Sequence, residues 1–216
     1  MKAVILLSGG VDSTVCLAQA IEKEIDCYAL CFDYYQNHRI EIQAAKKIAD
    51  HYGIPLTCIR IDPALFAPNP LLTGERVPKN RSLKEISDST APTFVPGRNT
   101  LFLASATSYA ESIGASEIYI GVGAVDEVPY PDCTLEFIQA FQQVIFAGNK
   151  KMTPLIQAPL IGLNKQEIIE EGMRLNAPLE KTHSCYDPYN QMPCGKCDAC
   201  LIRDRAFAFA REIDVH

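Results

Sequence analysis

Residues Val4–Leu17 read VILLSGGVDSTVCL. An apolar run gives way to Ser8-Gly9-Gly10, Asp12-Ser13-Thr14 follows, and apolar spacing then resumes. A strand that leaves through such a loop into a helix presents backbone N–H groups at the helix's positive end. Gly9 and Gly10 carry no Cβ, so anionic oxygens can approach the main chain closely. Ser8, Ser13 and Thr14 add hydroxyl donors, and together the group forms an anion cradle. The string lacks the Gly-Lys-Ser/Thr of a kinase-type phosphate loop and the G-x-G-x-x-G of a dinucleotide fold. By itself a glycine pair after a strand also marks an ordinary tight turn.

Outward from this loop the chain alternates strand and helix. Ala3–Leu7 is short and apolar throughout, as suits a strand covered on both faces. Ser13–Glu24 has helical spacing, Cys27–Phe32 reads as a second strand, Ile40–Tyr52 as a second helix ended by Gly53 and Pro55, and Leu56–Ile61 as a third strand. This order predicts an α/β fold with a doubly wound, mostly parallel sheet. Residues 62–96 break the rhythm with six prolines and scattered charges. A connection this long without regular structure is expected to be a lid over a site. Arg98–Ile113 then reads as a helix, Glu117–Val122 as a strand, Thr134–Phe146 as a helix and Ile156–Leu160 as a short strand. Asn164–Leu175 carries a capping-box signature, Asn164 with Glu167, and a last helix is predicted from about Cys200 to Ile213.

The composition of the 216 residues is that of an ordinary globular protein. A net charge of −6 argues against a dedicated nucleic-acid binder. No apolar run approaches the ~20 residues of a membrane span, and the first residues carry no cleavable leader pattern. The expected location is therefore the cytoplasm, where cysteines stay reduced or ligate metal. Of nine cysteines, Cys185, Cys194, Cys197 and Cys200 follow C-x8-C-x2-C-x2-C. Four thiolates so spaced, with Gly195 at the turn, suit a tetrahedral Zn²⁺ closed on all sides. An iron–sulfur cluster is the rival, and the absence of a cysteine after Cys200 favours zinc. Cys16, Cys27, Cys31 and Cys58 fall in apolar settings and are expected in the core, whereas Cys133 sits in a polar loop.

The string Ser8–Ser13 after a first strand resembles the PP-loop of the ATP pyrophosphatase superfamily, adenine nucleotide alpha hydrolase-like in fold. FDYYQNHRIE (32–41), TFVPGRNTLFL (93–103), YPDC (130–133) and CGKCDACLIR (194–203), in that order, resemble the QueC family of 7-cyano-7-deazaguanine synthases almost end to end. The resemblance implies a PP-loop domain over residues 1–180 with a lid-like insertion at about 62–96, and a C-terminal zinc-binding helical segment over 181–216 packed on it. It implies ATP with Mg²⁺, one Zn²⁺ per chain and a homodimer without nucleic acid. The reaction implied is adenylation of 7-carboxy-7-deazaguanine, attack by ammonia, and a second activation that dehydrates the amide to the nitrile. Leu7, Ser8, Gly9, Gly10, Val11, Asp12, Ser13 and Thr14 would hold ATP. Asp12, Ser13, Arg98 and Lys165 are the catalytic candidates: Asp12 through a bound cation, Arg98 by its planar fork on carboxylate or α-phosphate, Lys165 on phosphate. His38, Arg98, Asn99, Asp126, Tyr130 and Asp132 are the substrate candidates, the acidic ones facing the N–H donors of a guanine-like edge. Tyr35, Asn37 and Gly123 depart from the family's usual residues. The rival functions are a tRNA-thiolating PP-loop enzyme, which would need a basic RNA face, and a zinc-knuckle nucleic-acid module.

Overall fold

The structure, a computed structural model, describes residues 1–36, 40–66, 70–73, 77–87, 91–124, 130–149 and 153–213. Strands β1 (Lys2–Leu6), β2 (Asp26–Asp33), β3 (Leu56–Arg60), β4 (Glu117–Tyr119) and β5 (Leu155–Gln157) form one sheet in the order β3-β2-β1-β4-β5. All four pairings are parallel. The order reverses at β1, which places a ligand crevice beyond the carboxyl ends of the central strands.

Strand side chains alternate between two cores, as the pleat requires. Ala3, Ile5 and, just past β1, Leu7 join Cys27, Ala29 and Cys31 in one apolar cluster. Helices α1 (Val11–Glu22) and α2 (Ile40–Tyr52) cover that face with Val15, Leu17 and Ile48. Val4, Leu6, Leu30, Phe32 and Ile118 line the opposite face. Both faces are buried, which is why the strands read as continuous apolar runs instead of alternating ones.

The excursion at 62–96 differs from the sequence reading. Its described parts carry a 3-10 turn at Pro63–Leu65 and two short helices, α3 (Pro70–Thr73) and α4 (Leu83–Ser87). Phe66, Leu71, Val77, Ile86, Ala91 and Val95 are buried. All but Ile86 and Ala91 belong to the second core, so this stretch is a packed layer and not a bare loop. Helices α5 (Arg98–Ile113) and α6 (Leu135–Gly148) complete that face through Leu103, Ala106, Ile138 and Phe141.

Helices α7 (Lys165–Arg174) and α8 (Asp198–Ile213) return to the first face with Ile168, Ile169, Ala206 and Ala210. The capping box of α7 is present: Asn164 Oδ1 accepts from Gln166 N and Glu167 N, and Asn164 N donates to Glu167 Oε2 at 2.7 Å. Boundaries shift elsewhere. Helix α1 begins at Val11 and not Ser13, β4 stops at Tyr119, and β5 covers 155–157 where 156–160 was expected. Cys16, Cys27 and Cys31 are core residues as expected, and Cys133 joins them. Cys58, on the edge strand β3, is exposed, contrary to its predicted core position. Among the described residues no helix is long and apolar enough to cross a membrane.

Candidate active site

The loop after β1 is gripped from three sides. Gly9 adopts φ +88, and a Cβ there would lie 2.2 Å from the Glu41 carbonyl oxygen and 2.7 Å from Ala45 N. The glycine is therefore needed twice, for its left-handed backbone and for the close passage of α2. A Cβ at Gly121, just past β4, would sit 2.8 Å from Asp12 C and Ser13 N, so the sheet edge presses on the first turn of α1. On the third side His183 N donates to Gly9 O at 2.9 Å.

Within the loop, Ser13 Oγ donates to Gly10 O at 3.1 Å and lies 3.1 Å from Ser8 Oγ. Helix α1 has Gly10 as its N-cap, with no side-chain cap hydrogen bond. Its first N–H groups have no partner inside the helix, the arrangement that attracts an anion. Thr14 corrects the sequence reading: it is fully buried, and its hydroxyl donates to Gly10 O at 2.7 Å. Ser13 makes the same bond but lines the cavity described below, whereas Thr14 is shut away from it. Lys165, the first residue of α7, reaches both carboxylate oxygens of Asp12 at 2.6 Å. Both side chains are about three-quarters buried. The capping box thus fixes the start of a helix whose first side chain neutralises the loop's carboxylate. Gly123 stands against this helix, where a Cβ would meet Ile168 Cδ1 at 2.9 Å. Glycine at this position therefore makes room for α7.

A cavity of about 690 Å³ opens from this loop and is lined by Leu7, Ser8, Gly10, Val11, Asp12 and Ser13 at one end. Arg98, Asn99, Tyr130 and Lys165 line the same space. Arg98, at the first turn of α5, hydrogen-bonds the Tyr34 side chain. Burial pushes the Tyr34 phenol up to about 12 and keeps it protonated. Burial opposes the Arg98 charge, but the field of Tyr34, Asp132, Cys133 and Tyr130 outweighs it and the guanidinium pKa is raised.

Asn99 and Asp132 lock to each other: Asn99 N donates to Asp132 Oδ2 at 3.1 Å and Asn99 Nδ2 to Asp132 O at 3.0 Å. Asp132 is thereby a cap on α5 that holds Arg98 in place, and it does not line the cavity, contrary to its predicted substrate contact. Tyr130 OH lies 3.1 Å from Thr93 Oγ1 and 3.3 Å from Tyr186 OH. His38, Asn37 and Asp126 lie outside the described residues. Tyr35 is half exposed, at φ +61.

Several residues in or behind the cavity wall were not singled out from sequence. Glu41 accepts from Gln36 Nε2 at 2.7 Å, and the fully buried Gln36 also binds Tyr34 N and Phe32 O. Phe102 stacks on Phe32 with centroids 4.0 Å apart. Arg203 donates to Thr182 Oγ1 at 2.7 Å and Ser184 Oγ at 3.1 Å, holding the segment that abuts Gly9. Gln36, Glu41, Phe102 and Arg203 all lie inside the quoted family-like strings, which was the available signal.

The four cysteines converge. The sulfurs of Cys185, Cys194, Cys197 and Cys200 all lie within 4.8 Å of one another. A tetrahedron of ~2.3 Å Zn–S bonds has edges of roughly 3.8 Å, so the set fits such an ion. Cys194 N and Asp187 N donate to Cys185 Sγ, and Cys197 N and Lys196 N to Cys194 Sγ, as suits sulfurs bearing negative charge. Cys197 is pushed down by hydrogen bonds from Cys185 and Cys200, while Cys185, bonded to Cys197, is pushed up to about 11. Residues 79–81 dock on this cluster. Lys79 bridges to Cys197, Asn80 N donates to Lys196 O, and Arg81 pairs with Asp198 at 2.8 Å.

The family model described as queuosine biosynthesis protein QueC matches residues 2–211. The chain belongs to the QueC family. A Leptospira interrogans protein named 7-cyano-7-deazaguanine synthase is 48% identical over 95% of this chain and 86% of its own length. One of the same name from Trichodesmium erythraeum is 45% identical over 96% of each chain. The solved NMN synthetase of Francisella tularensis superposes with a TM-score of 0.52 at 18% identity, covering 98% of this chain and 76% of that one, a likeness of fold. In this QueC family member the glycine-loop cavity is thus accompanied by a four-thiol cluster.

Proposed function

We propose that this QueC family member is an ATP-dependent ligase that converts 7-carboxy-7-deazaguanine and ammonia to 7-cyano-7-deazaguanine. The observation that carries the reading is the single cavity joining an uncapped loop–helix N-terminus to Arg98, because adenylation needs triphosphate and carboxylate side by side. Its volume of about 690 Å³ suits small-molecule substrates.

The substrate carboxylate attacks the α-phosphorus of ATP, pyrophosphate leaves, and an acyl-adenylate forms. Ammonia displaces AMP to give the amide and loses a proton. The amide oxygen attacks the α-phosphorus of a second ATP, pyrophosphate leaves and the nitrogen gives up one proton; loss of AMP and of the remaining N–H proton leaves the nitrile. The loop amides and Ser13 hold the departing pyrophosphate, and Arg98 orients the carboxylate or stabilises charge on the α-phosphate. Lys165 is the loop's own cation for phosphate, and Asp12 is the carboxylate suited to bind magnesium alongside it. The four cysteines would hold one zinc as a closed structural site. Residues 1–180 form the ATP-binding domain, 62–96 its lid and 181–216 the metal-binding segment, in a homodimeric cytoplasmic enzyme. The test is AMP formation from ATP, ammonium and 7-carboxy-7-deazaguanine without tRNA. AMP and nitrile are expected, and a demand for tRNA and a sulfur donor would reject the reading.

A further inference from the structure

We propose that Asp198 reads the N–H donor edge of the substrate's purine-like ring, an inference that rests on the substrate class proposed above. Among the described residues three carboxylates line the cavity: Asp12, Glu41 and Asp198. Both oxygens of Asp12 are engaged by Lys165, and Glu41 Oε1 accepts from Gln36. Asp132 is committed to capping α5.

Asp198 is built differently. Its side chain is more than nine-tenths buried. Arg81 Nη1 holds Oδ2 at 2.8 Å, fixing the plane of the carboxylate. Arg81 is held in turn by the Glu85 carbonyl oxygen. The other oxygen, Oδ1, is shut off from solvent and has no hydrogen-bond partner among the described residues. A buried acceptor left without a donor is costly, and one kept in a native fold calls for a partner, here a ligand in the cavity that Asp198 lines. Entry of the ring therefore requires a local shift of the cavity wall.

The complementary ligand is a flat ring carrying N–H groups on one edge. A guanine-type ring presents N1–H and an exocyclic amine side by side, and a carboxylate accepts from both. Tyr130 and Tyr186 line the same cavity, with hydroxyls 3.3 Å apart, and offer apolar faces for such a ring. A site built to receive N–H donors rejects an analogue that lacks them, because its own acceptor is then stranded.

The test is steady-state AMP formation by the full chain with three acids: 7-carboxy-7-deazaguanine, its 2-desamino analogue and 7-carboxy-7-deazaxanthine. Wild type should favour the first by about ten- to hundredfold in kcat/KM. Asp198→Asn offers an amide N–H where the xanthine-type ring has a carbonyl. It should lose preference for the guanine type and gain on the xanthine type, with metal content unchanged. Arg81→Lys keeps the ion pair but loosens its geometry, and should narrow the preference between the first two acids. Unaltered discrimination in a folded Asp198→Asn, with only a lower melting temperature, would make Asp198 a structural cap of α8 and overturn the proposal. If that variant does not fold, unaltered discrimination in Arg81→Lys overturns it equally. Wild type releasing no AMP with any of the three would instead reject the parent function, and this inference with it.

Discussion

A methyl group at position 9 would lie 2.2 Å from the Glu41 carbonyl oxygen, on a backbone already at φ +88. Gly10 has ordinary extended geometry, and its nearest obstacle is Ser8 Oγ at 3.4 Å. Gly9→Ala should therefore cost on the order of 3 kcal/mol or more, read by urea unfolding, and Gly10→Ala within about 1 kcal/mol. A comparable cost at both positions would mean that the close approach of α2 is not what fixes the loop. Ser13→Ala should leave melting nearly unchanged but slow AMP release by about ten- to a hundredfold, because it removes the cavity-lining hydroxyl proposed to hold the pyrophosphate. Near-normal turnover would remove Ser13 from its assigned role. The sequence showed which residues these are but not their division of labour. That Ser13 lines the cavity while Thr14 is buried, and that Asp132 caps α5, depends on directions in space that a linear string does not carry.

Helices α1 and α7 are joined on their outer side by Arg174, whose guanidinium reaches Glu22 and Glu171 at 2.7 Å. Hydrogen bonds from Arg174 hold both carboxyls below their ordinary value. The folded chain thus takes up protons here at lower pH than the unfolded chain does. Stability from this contact is complete above the unfolded carboxylate's pKa of ~4.3 and is lost as pH falls through the lower folded values. Arg174→Gln should lower the urea midpoint slightly at pH 7, with the gap to wild type closing below about pH 4. A gap that persisted in acid would assign the contact to packing. Elements such as α5 were legible because apolar spacing and helix length agree. The excursion at 62–96 was not, because its buried side chains, Phe66, Leu71, Val77 and Val95, fall between prolines with no period to betray them.

For the molecule as a whole, the thiol cluster ties the excursion to the body. Lys79, Asn80 and Arg81 dock on residues 187–198, which the four sulfurs close. Metal at such sites is worth roughly 10–16 kcal/mol in small peptides. Chelation should lower the melting temperature and speed amide hydrogen exchange in 77–87 while leaving β1 protected. Unchanged exchange in 77–87 would separate the two units. Strand–helix order bounded the fold correctly from the string alone. The meeting of residues 79–81 with 187–198 was not legible, because it joins segments about a hundred positions apart.

The amide of His183 donates to the Gly9 carbonyl, so the bend after β1 is completed by a segment far along the sequence. The turn cannot reach its final shape as a local strand–helix unit. Contacts of such long range carry a large loop-closure cost before they reward the chain, so this bend should take its final form late in folding.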